Sequence, residues 1–153
     1  MTYLTDLSLT KLKLLVQTPA MALPTTRNAD KTLHQGIEAG LRMDSASLRL
    51  LASYLYNDFR FQSDPGQGNN RIAGVPEQVF TAETAYKLPG NVWVGPTLRT
   101  ASRAFVDHAN TLAAPGYAVY GLKMNQTLTR NVEWFVEARN LSDKRYAPTT
   151  GVI

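Results

Sequence analysis

The chain has 153 residues and a formal net charge of +4, with 16 Lys and Arg against 12 Asp and Glu. The basic residues are dispersed, without a run of five or six, which gives little support to a nucleic-acid partner. Cysteine is absent, and this excludes a disulfide framework, a thiol nucleophile and a cysteine-based zinc site. No apolar run approaches the roughly 18 residues of a membrane helix, so a membrane role would have to rest on strands.

The first 30 residues have the least regular pattern. Residues 3–16 are compatible with a strand or with an amphipathic helix, because Leu7 and Leu9 share a phase with Lys11 and Lys13. They also lack the pattern of a secretory signal peptide, since Asp6 precedes the apolar stretch. Residues 17–30 contain Pro19 and Pro24 and are predicted to form a long loop.

Six later segments alternate apolar and polar residues, the pattern of a strand with two different faces. The clearest is the last, in which Trp134 and Val136 fall in one phase and Glu133 and Glu137 in the other. Pro96 lacks a backbone N–H, so we expect a bulge or an unpaired position in the fourth segment. The predicted strands are residues 32–43, 47–61, 78–87, 91–106, 117–125 and 131–140.

The connections between these strands alternate in length. Those at residues 17–30, 62–77, 107–115 and after 140 are long, whereas those at 44–46, 88–90 and 126–130 are short. Antiparallel membrane barrels have this alternation, with short periplasmic turns and long external loops. The apolar phases also carry aromatic residues that suit a membrane interface, namely Tyr54, Tyr56, Tyr86, Tyr120 and Trp134. Alternation of side chains alone leaves a soluble sandwich open, with the apolar faces in its core.

Four groups of motifs resemble, in order, those of TonB-dependent outer-membrane receptors. They are RNADKTLHQGIEAGL (27–41), YNDFRF with NNRIAGVPEQ (56–61 and 69–78), FVDHANT with APGY (105–111 and 114–117), and FVEARNLSDKRYAP (135–148). The chain departs from the family at Ala73, where proline is more usual. By this resemblance we assign a structural role to six motif residues: Gly36, Glu38, Asn140, Leu141, Asp143 and Tyr146.

The resemblance implies an all-β, antiparallel up-and-down meander of about seven strands, an incomplete piece of a 22-stranded transmembrane β-barrel. Residues 1–153 would be the C-terminal portion of that barrel, without its last strand, plug or signal peptide. The implied function is active uptake of a scarce ligand, most often a ferric siderophore, across the outer membrane. TonB, the siderophore and outer-membrane lipid would be its partners, with no nucleic acid, no cofactor and no enzymatic activity.

Candidate ligand contacts are Asn69 and Arg71 in a long loop and Arg99 and Arg103 along a strand. Arginine binds carboxylates through two parallel hydrogen bonds, which suits an anionic chelate. A solvated loop, and charge pairing across strands, are the alternatives. The predicted lumen residues are Glu38, Glu83, Glu133, Glu137, Arg42, Arg49, Arg99, Arg103 and Arg139.

Neither His34 nor His108 has a partner at metal-ligand spacing, and no G-x-S-x-G motif supports a hydrolase. We therefore predict no metal site and no catalytic residue. The alternative function is a small soluble β-barrel or sandwich that binds an apolar ligand. A small membrane-barrel enzyme is a third hypothesis, for which the sequence offers no active site.

Overall fold

The computed structural model describes residues 2–7, 13–16, 25–28, 31–149 and 152, with side-chain surroundings for 31–149 and 152. The described strands form a seven-stranded antiparallel sheet in the order β1-β4-β5-β6-β7-β10-β11, with two small hairpins, β2-β3 and β8-β9. The strands are β1 (Thr2–Leu7), β2 (Lys13–Val16), β3 (Thr25–Asn28), β4 (Thr32–Asp44), β5 (Leu48–Phe61), β6 (Gln78–Leu88), β7 (Val92–Ala101), β8 (Ala104–Phe105), β9 (Ala113–Ala114), β10 (Tyr117–Thr129) and β11 (Val132–Ala138). The predicted meander of about seven strands is confirmed.

The N-terminal predictions need correction. Residues 3–16 contribute two strands, β1 and β2, and the residues between them, 8–12, lie outside the described residues. The predicted loop at 17–30 contains β3, which pairs with β2 from Lys13↔Asn28 to Val16↔Thr25. Thr25 and Thr26 are β-branched and favour extended backbone, a local preference that the loop prediction overlooked. Residues 17–24 and 29–30 lie outside the described part.

Two further boundaries differ from prediction. The strand predicted at 91–106 ends at Ala101, and the chain resumes at β8, which pairs with β9 inside the loop predicted at 107–115. The turn predicted at 126–130 is shorter, because β10 continues to Thr129 and Gln126 still pairs with Trp134. A register shift between Thr127 and Thr129 then leads into the turn at residues 130–131. Both errors concern short stretches whose strand pairing depends on a partner segment, which periodicity does not show.

The pairing registers place all the apolar phases of the large sheet on one face. Leu41 pairs with Ala52, Ala52 with Ala82, Ala82 with Leu98, and Leu98 with Tyr120. Directly paired residues in an antiparallel sheet share a face. We call this side the apolar face and the opposite side the charged face. The charged face carries Glu38, Arg42, Arg49, Glu83, Arg99, Lys123 and Glu137.

The apolar face is not the core of a sandwich. Leu41, Tyr120 and Val136 are 56%, 53% and 58% exposed. A soluble sandwich would bury such residues against a second sheet, so that alternative is wrong for the described strands. No described helix is long and apolar enough to cross a membrane.

Pro96 interrupts one of the two ladders that flank β7. On the β10 side it pairs with Leu122, and Gly95 pairs with Lys123. On the β6 side the pairs continue from Glu83↔Thr97 to Tyr86↔Val94 without register change, and the two positions between them are unpaired. The predicted unpaired position is therefore confirmed. It lies where the backbones of β6 and β7 approach each other closely. A Cβ added at Gly95 would sit 1.8 Å from the Thr84 carbonyl oxygen.

Candidate functional site

An ion pair spans three strands of the charged face. The Lys123 Nζ atom in β10 donates to both carboxylate oxygens of Glu83 in β6, at 2.9 and 3.2 Å. The strand between them, β7, presents Gly95 opposite Lys123 and Thr97 opposite Glu83. Because Gly95 has no side chain, the Lys123 stem can pass over it. Next to this pair, Arg139 donates to Glu137 at 2.8 Å, and Glu137 lies opposite Lys123 on β11.

A hollow of about 740 Å³ opens on the charged face near its long-loop end. Arg99 contributes to its wall from β7, where it lies opposite Thr81 and Val119 and is exposed. Arg103 lies beyond the end of β7, with its guanidinium carbon 5.5 Å from the centre of the Phe105 ring. The charged members of the hollow's lining are Glu83, Arg99, Glu137 and Arg139.

The N-L-x-D-K-R-Y motif forms a turn at the rim of this hollow. Asn140 Oδ1 accepts the Lys144 N–H at 2.9 Å, and its Nδ2 donates to the Lys144 carbonyl at 3.1 Å. The Leu141 N–H donates to the Tyr120 carbonyl, which ties the turn to β10. Tyr146 then lies with its ring centroid 4.5 Å from that of Tyr117. Asn140 and Asp143 both adopt positive φ, at 56° and 48°, a region that Asn and Asp tolerate best among side-chain-bearing residues.

The other two motif residues lie in β4. Gly36 is in close contact with β5, because a Cβ added there would sit 2.4 Å from the Tyr56 carbonyl oxygen. Glu38 is exposed and lies between Tyr3 and Leu55 in the registers of β4. Glu38 therefore belongs to the charged face, two residues along from the close contact.

The two long loops, 62–77 and 102–116, are joined by hydrogen bonds that we call the loop junction. Asn110 Oδ1 accepts the Arg71 N–H at 2.7 Å, and Asn110 Nδ2 donates to the Arg71 carbonyl at 2.9 Å. The Gly74 N–H donates to the Phe105 carbonyl at 2.7 Å. Beneath the junction lies a small core, in which Phe61 is 0% and Ile72 8% exposed.

Asp107 organises the second loop from within. Its carboxylate accepts the Thr111 hydroxyl at 2.6 Å and the Leu112 N–H at 2.8 Å. These hydrogen bonds hold the pKa of Asp107 below its usual value, and the bond from the Thr111 hydroxyl has the largest effect. His108 is half-buried beside it, and burial lowers the pKa of its imidazole although the Asp107 charge acts in the opposite direction.

The four candidate ligand contacts do not converge on one point. Asn69 uses its Oδ1 to accept the Ser63 N–H at 2.9 Å, within its own loop. Arg71 forms an ion pair with Glu77 at 3.0 Å and an antiparallel bridge with Arg60, which lies in the phase of the apolar face. Arg99 lines the hollow, whereas Arg103 lies beyond the end of β7 against the Phe105 ring. Among the described residues, no group of three or more His, Asp or Glu could hold a metal ion.

Two residues of this site were not predicted from the sequence. Asn110 secures the loop junction, and its position in the FVDHANT motif was the available signal. Trp93 lies on the charged face at the short-turn end and is 8% exposed, with the Arg49 guanidinium carbon 3.8 Å from its ring centroid. Its phase, opposite to that of Val92 and Val94, was the available signal.

Together, the exposed apolar face, the charged face and the alternating connections define a section of an antiparallel β-barrel wall. A family model described as "TonB dependent receptor-like, beta-barrel" matches residues 8–141. The chain belongs to this TonB-dependent receptor family.

Individual relatives agree with the family match. The probable TonB-dependent siderophore receptor PiuA of Acinetobacter baumannii is 34% identical over 77 residues, which are 50% of this chain and 10% of that protein. The crystal structure of the siderophore receptor PiuA from the same organism superposes with a TM-score of 0.71 at 24% identity, over 97% of this chain. BauA, described as the ferric preacinetobactin receptor from Acinetobacter baumannii, superposes with a TM-score of 0.66 at 17% identity, over 99% of this chain.

The chain spans only a small part of these relatives. It covers 22% of the PiuA chain and 24% of the BauA chain in the superposed structures. At such identities the superpositions show the fold of the barrel section, in agreement with the strand order and registers above.

Proposed function

We propose that this chain is part of an outer-membrane receptor that takes up a ferric siderophore, with energy delivered through TonB. Family membership supports this proposal, as does the similarity to a probable siderophore receptor. The observation that carries it is the two-faced sheet, with exposed Leu41 and Val136 on one side and an ionic hollow on the other. Such a sheet suits a wall between hydrocarbon and a watery passage.

In this proposal the outer-membrane lipid covers the apolar face, and the siderophore passes the charged face. Residues 1–153 would form the C-terminal portion of the barrel, because their N-L-x-D-K-R-Y motif resembles the loop that follows the penultimate strand in the family. The long loops would face outward, and the short turns would face the periplasm. The receptor would act as a transporter and not as an enzyme.

We further propose that Arg99 and Arg103 contact the iron chelate as it passes. Within the described part of the chain, Arg99 has no acidic partner, whereas Lys123 and Arg139 are each paired with a glutamate. An unpaired guanidinium offers two parallel donors to a carboxylate or catecholate without first breaking an ion pair. Asn69 and Arg71, which are held by contacts within and between the outer loops, would contribute at the entrance.

The test is uptake of ⁵⁵Fe-loaded siderophore by iron-limited cells that lack the gene and carry a plasmid copy of the complete receptor. We expect restored uptake with the wild type, reduced uptake with Arg99→Gln plus Arg103→Gln, and unchanged uptake with Arg130→Gln, an exposed control in the turn at the opposite end. Failure of the wild type with every siderophore tested would refute the transport function. Equal uptake by the double variant would refute only the two contacts.

A further inference from the structure

Both histidines of the chain lie against the small core beneath the loop junction. The His34 ring on β4 lies with its centroid 4.6 Å from that of Phe59. The His108 ring meets Phe61 edge-on, with centroids 5.3 Å apart and planes at 84°. Phe59 packs against the Phe61 and Ile72 core. A change in the charge of either imidazole would therefore alter the packing where the long loops contact the sheet.

His108 connects the two long loops through its ring and its backbone. Its Nδ1 atom accepts the Ala73 N–H at 3.3 Å, and its carbonyl accepts the Asn70 Nδ2 at 3.0 Å. Acceptance at Nδ1 requires a neutral imidazole with its proton on Nε2. The donor exists because position 73 is alanine, whereas the proline more usual in the family has no N–H.

We propose that His108 is a proton-operated latch that joins loop 62–77 to loop 102–116 when neutral and releases it when charged. Protonation places a second donor at Nδ1, directly opposite the Ala73 N–H, so the hydrogen bond is replaced by two donors that face each other. It also puts a charge on a half-buried ring beside Phe61, which costs desolvation free energy. Acidification therefore loosens the loop junction, while the barrel strands keep their ladders.

The other charged groups on the elements that contact His108 are held by partners of their own. Asp107, on the same loop, is engaged with Thr111 and Leu112 and favours the charged imidazole. On loop 62–77, the Asp64 carboxylate accepts the Gly66 and Gln67 N–H groups, and Arg71 forms an ion pair with Glu77. On β5, Arg60 forms an ion pair with Asp58. Arg103 lies over Phe105 on loop 102–116.

The sign of the pH dependence follows from the direction of the pKa shift. Burial lowers the pKa of His108 below its ordinary value of 6.5. The latch is therefore closed above pH 6.5. Its contribution to the stability of the loop junction is lost as the pH falls from 6.5 through the lowered pKa of His108. Full protonation of His108 should raise the population of the open loop junction about tenfold for each pH unit by which the fold lowers its pKa.

The test is hydrogen exchange of residues 70–74, expressed as protection factors at pH 7.5 and 5.0, in the complete receptor in detergent micelles. We expect protection to fall on acidification in the wild type. In His108→Asn, whose Oδ1 keeps an acceptor near the Nδ1 position and does not titrate, protection should stay constant. In His108→Leu, which lacks an acceptor, it should be low at both pH values.

Two results would overturn the latch. One is a wild-type junction whose protection is the same at both pH values. The other is a His108→Asn variant that loses protection on acidification as the wild type does, which would assign the effect to another group such as His34. Because exchange is measured without any siderophore, these outcomes are independent of the proposed transport function.

Discussion

Glu83 and Lys123 bind each other across an intervening strand, with the Lys123 Nζ atom 2.9 Å from the nearer carboxylate oxygen. Neighbouring strands lie about 4.8 Å apart, so this pair spans twice that distance over the surface of β7. Gly95 and Thr97 are the residues beneath it. The pair therefore links β6 to β10 at the level where the β6–β7 ladder lacks two pairs.

The Glu83–Lys123 coupling can be measured by a double-mutant cycle. We expect Glu83→Gln and Lys123→Met to show a coupling free energy of about 0.2–1 kcal/mol in urea unfolding, because both side chains are more than a third exposed. The charge-reversed pair, Glu83→Lys with Lys123→Glu, should recover most of the loss. A coupling of zero would mean that the pair only fills space over Gly95.

Gly95 and Gly40 form a matched pair of strand glycines. Gly95→Ala places a Cβ against the Thr84 carbonyl, whereas a Cβ at Gly40 meets nothing within 4 Å. We expect Gly95→Ala to destabilise the folded barrel by at least the upper end of about 1–3 kcal/mol. Gly40→Ala should be neutral or slightly stabilising, since it restricts the unfolded chain. Unfolding can be measured by the heat-dependent shift in gel mobility. Equal unfolding temperatures of the two variants would contradict the close approach of Gly95 to the Thr84 carbonyl.

Leu122 and Lys123 are adjacent residues on opposite faces of β10, and they test which face meets lipid. Leu122→Arg should cost roughly 2–4 kcal/mol if Leu122 lies near the middle of the bilayer, because the charge would enter hydrocarbon. Lys123→Arg keeps the charge on the ionic side and should change stability by less than about 1 kcal/mol. Folding yield into lipid vesicles gives the comparison. A well-folded Leu122→Arg variant would refute the lipid assignment of the apolar face.

The role of the Asn110 side-chain amide can be tested by replacing its nitrogen with an oxygen. Asn110→Asp keeps the acceptor for the Arg71 N–H but removes the donor to the Arg71 carbonyl, and it tolerates the positive φ of 60°. We expect about 1–3 kcal/mol less local stability of the loop junction, seen as faster proteolysis of loop 62–77. Asn69→Asp is the control, because Asn69 uses only its Oδ1 atom, to accept the Ser63 N–H. Equal cleavage of the two variants would contradict the prediction.

Most of the sheet could be predicted because each strand has two chemically different faces. The segment around Trp134 shows this best, since a period of two separates Val132, Trp134 and Val136 from Glu133 and Glu137. Phe135 is the apolar residue in the charged phase. The unpaired position at Pro96 also followed from one residue, because proline has no N–H to donate. These features are local, because each depends on only a few consecutive residues.

The loop junction could not be predicted in the same way. Asn110 and Arg71 are 39 residues apart, and the bonds between them depend on how two loops fold back over Phe61. Periodicity carries no information about such contacts. The early end of β7 at Ala101 belongs to the same class, because it follows from the β8–β9 pairing. Sequence reasoning grouped Arg71 and Arg99 as candidates for one ligand, whereas Arg71 is ion-paired with Glu77 in a long loop and Arg99 lines the hollow from β7.

In the large sheet, each strand pairs only with the strands that come before and after it within that sheet. No segment has to be threaded between two that are already joined. The wall can therefore grow by docking one hairpin after another onto its open border, and no ladder has to be undone to admit the next.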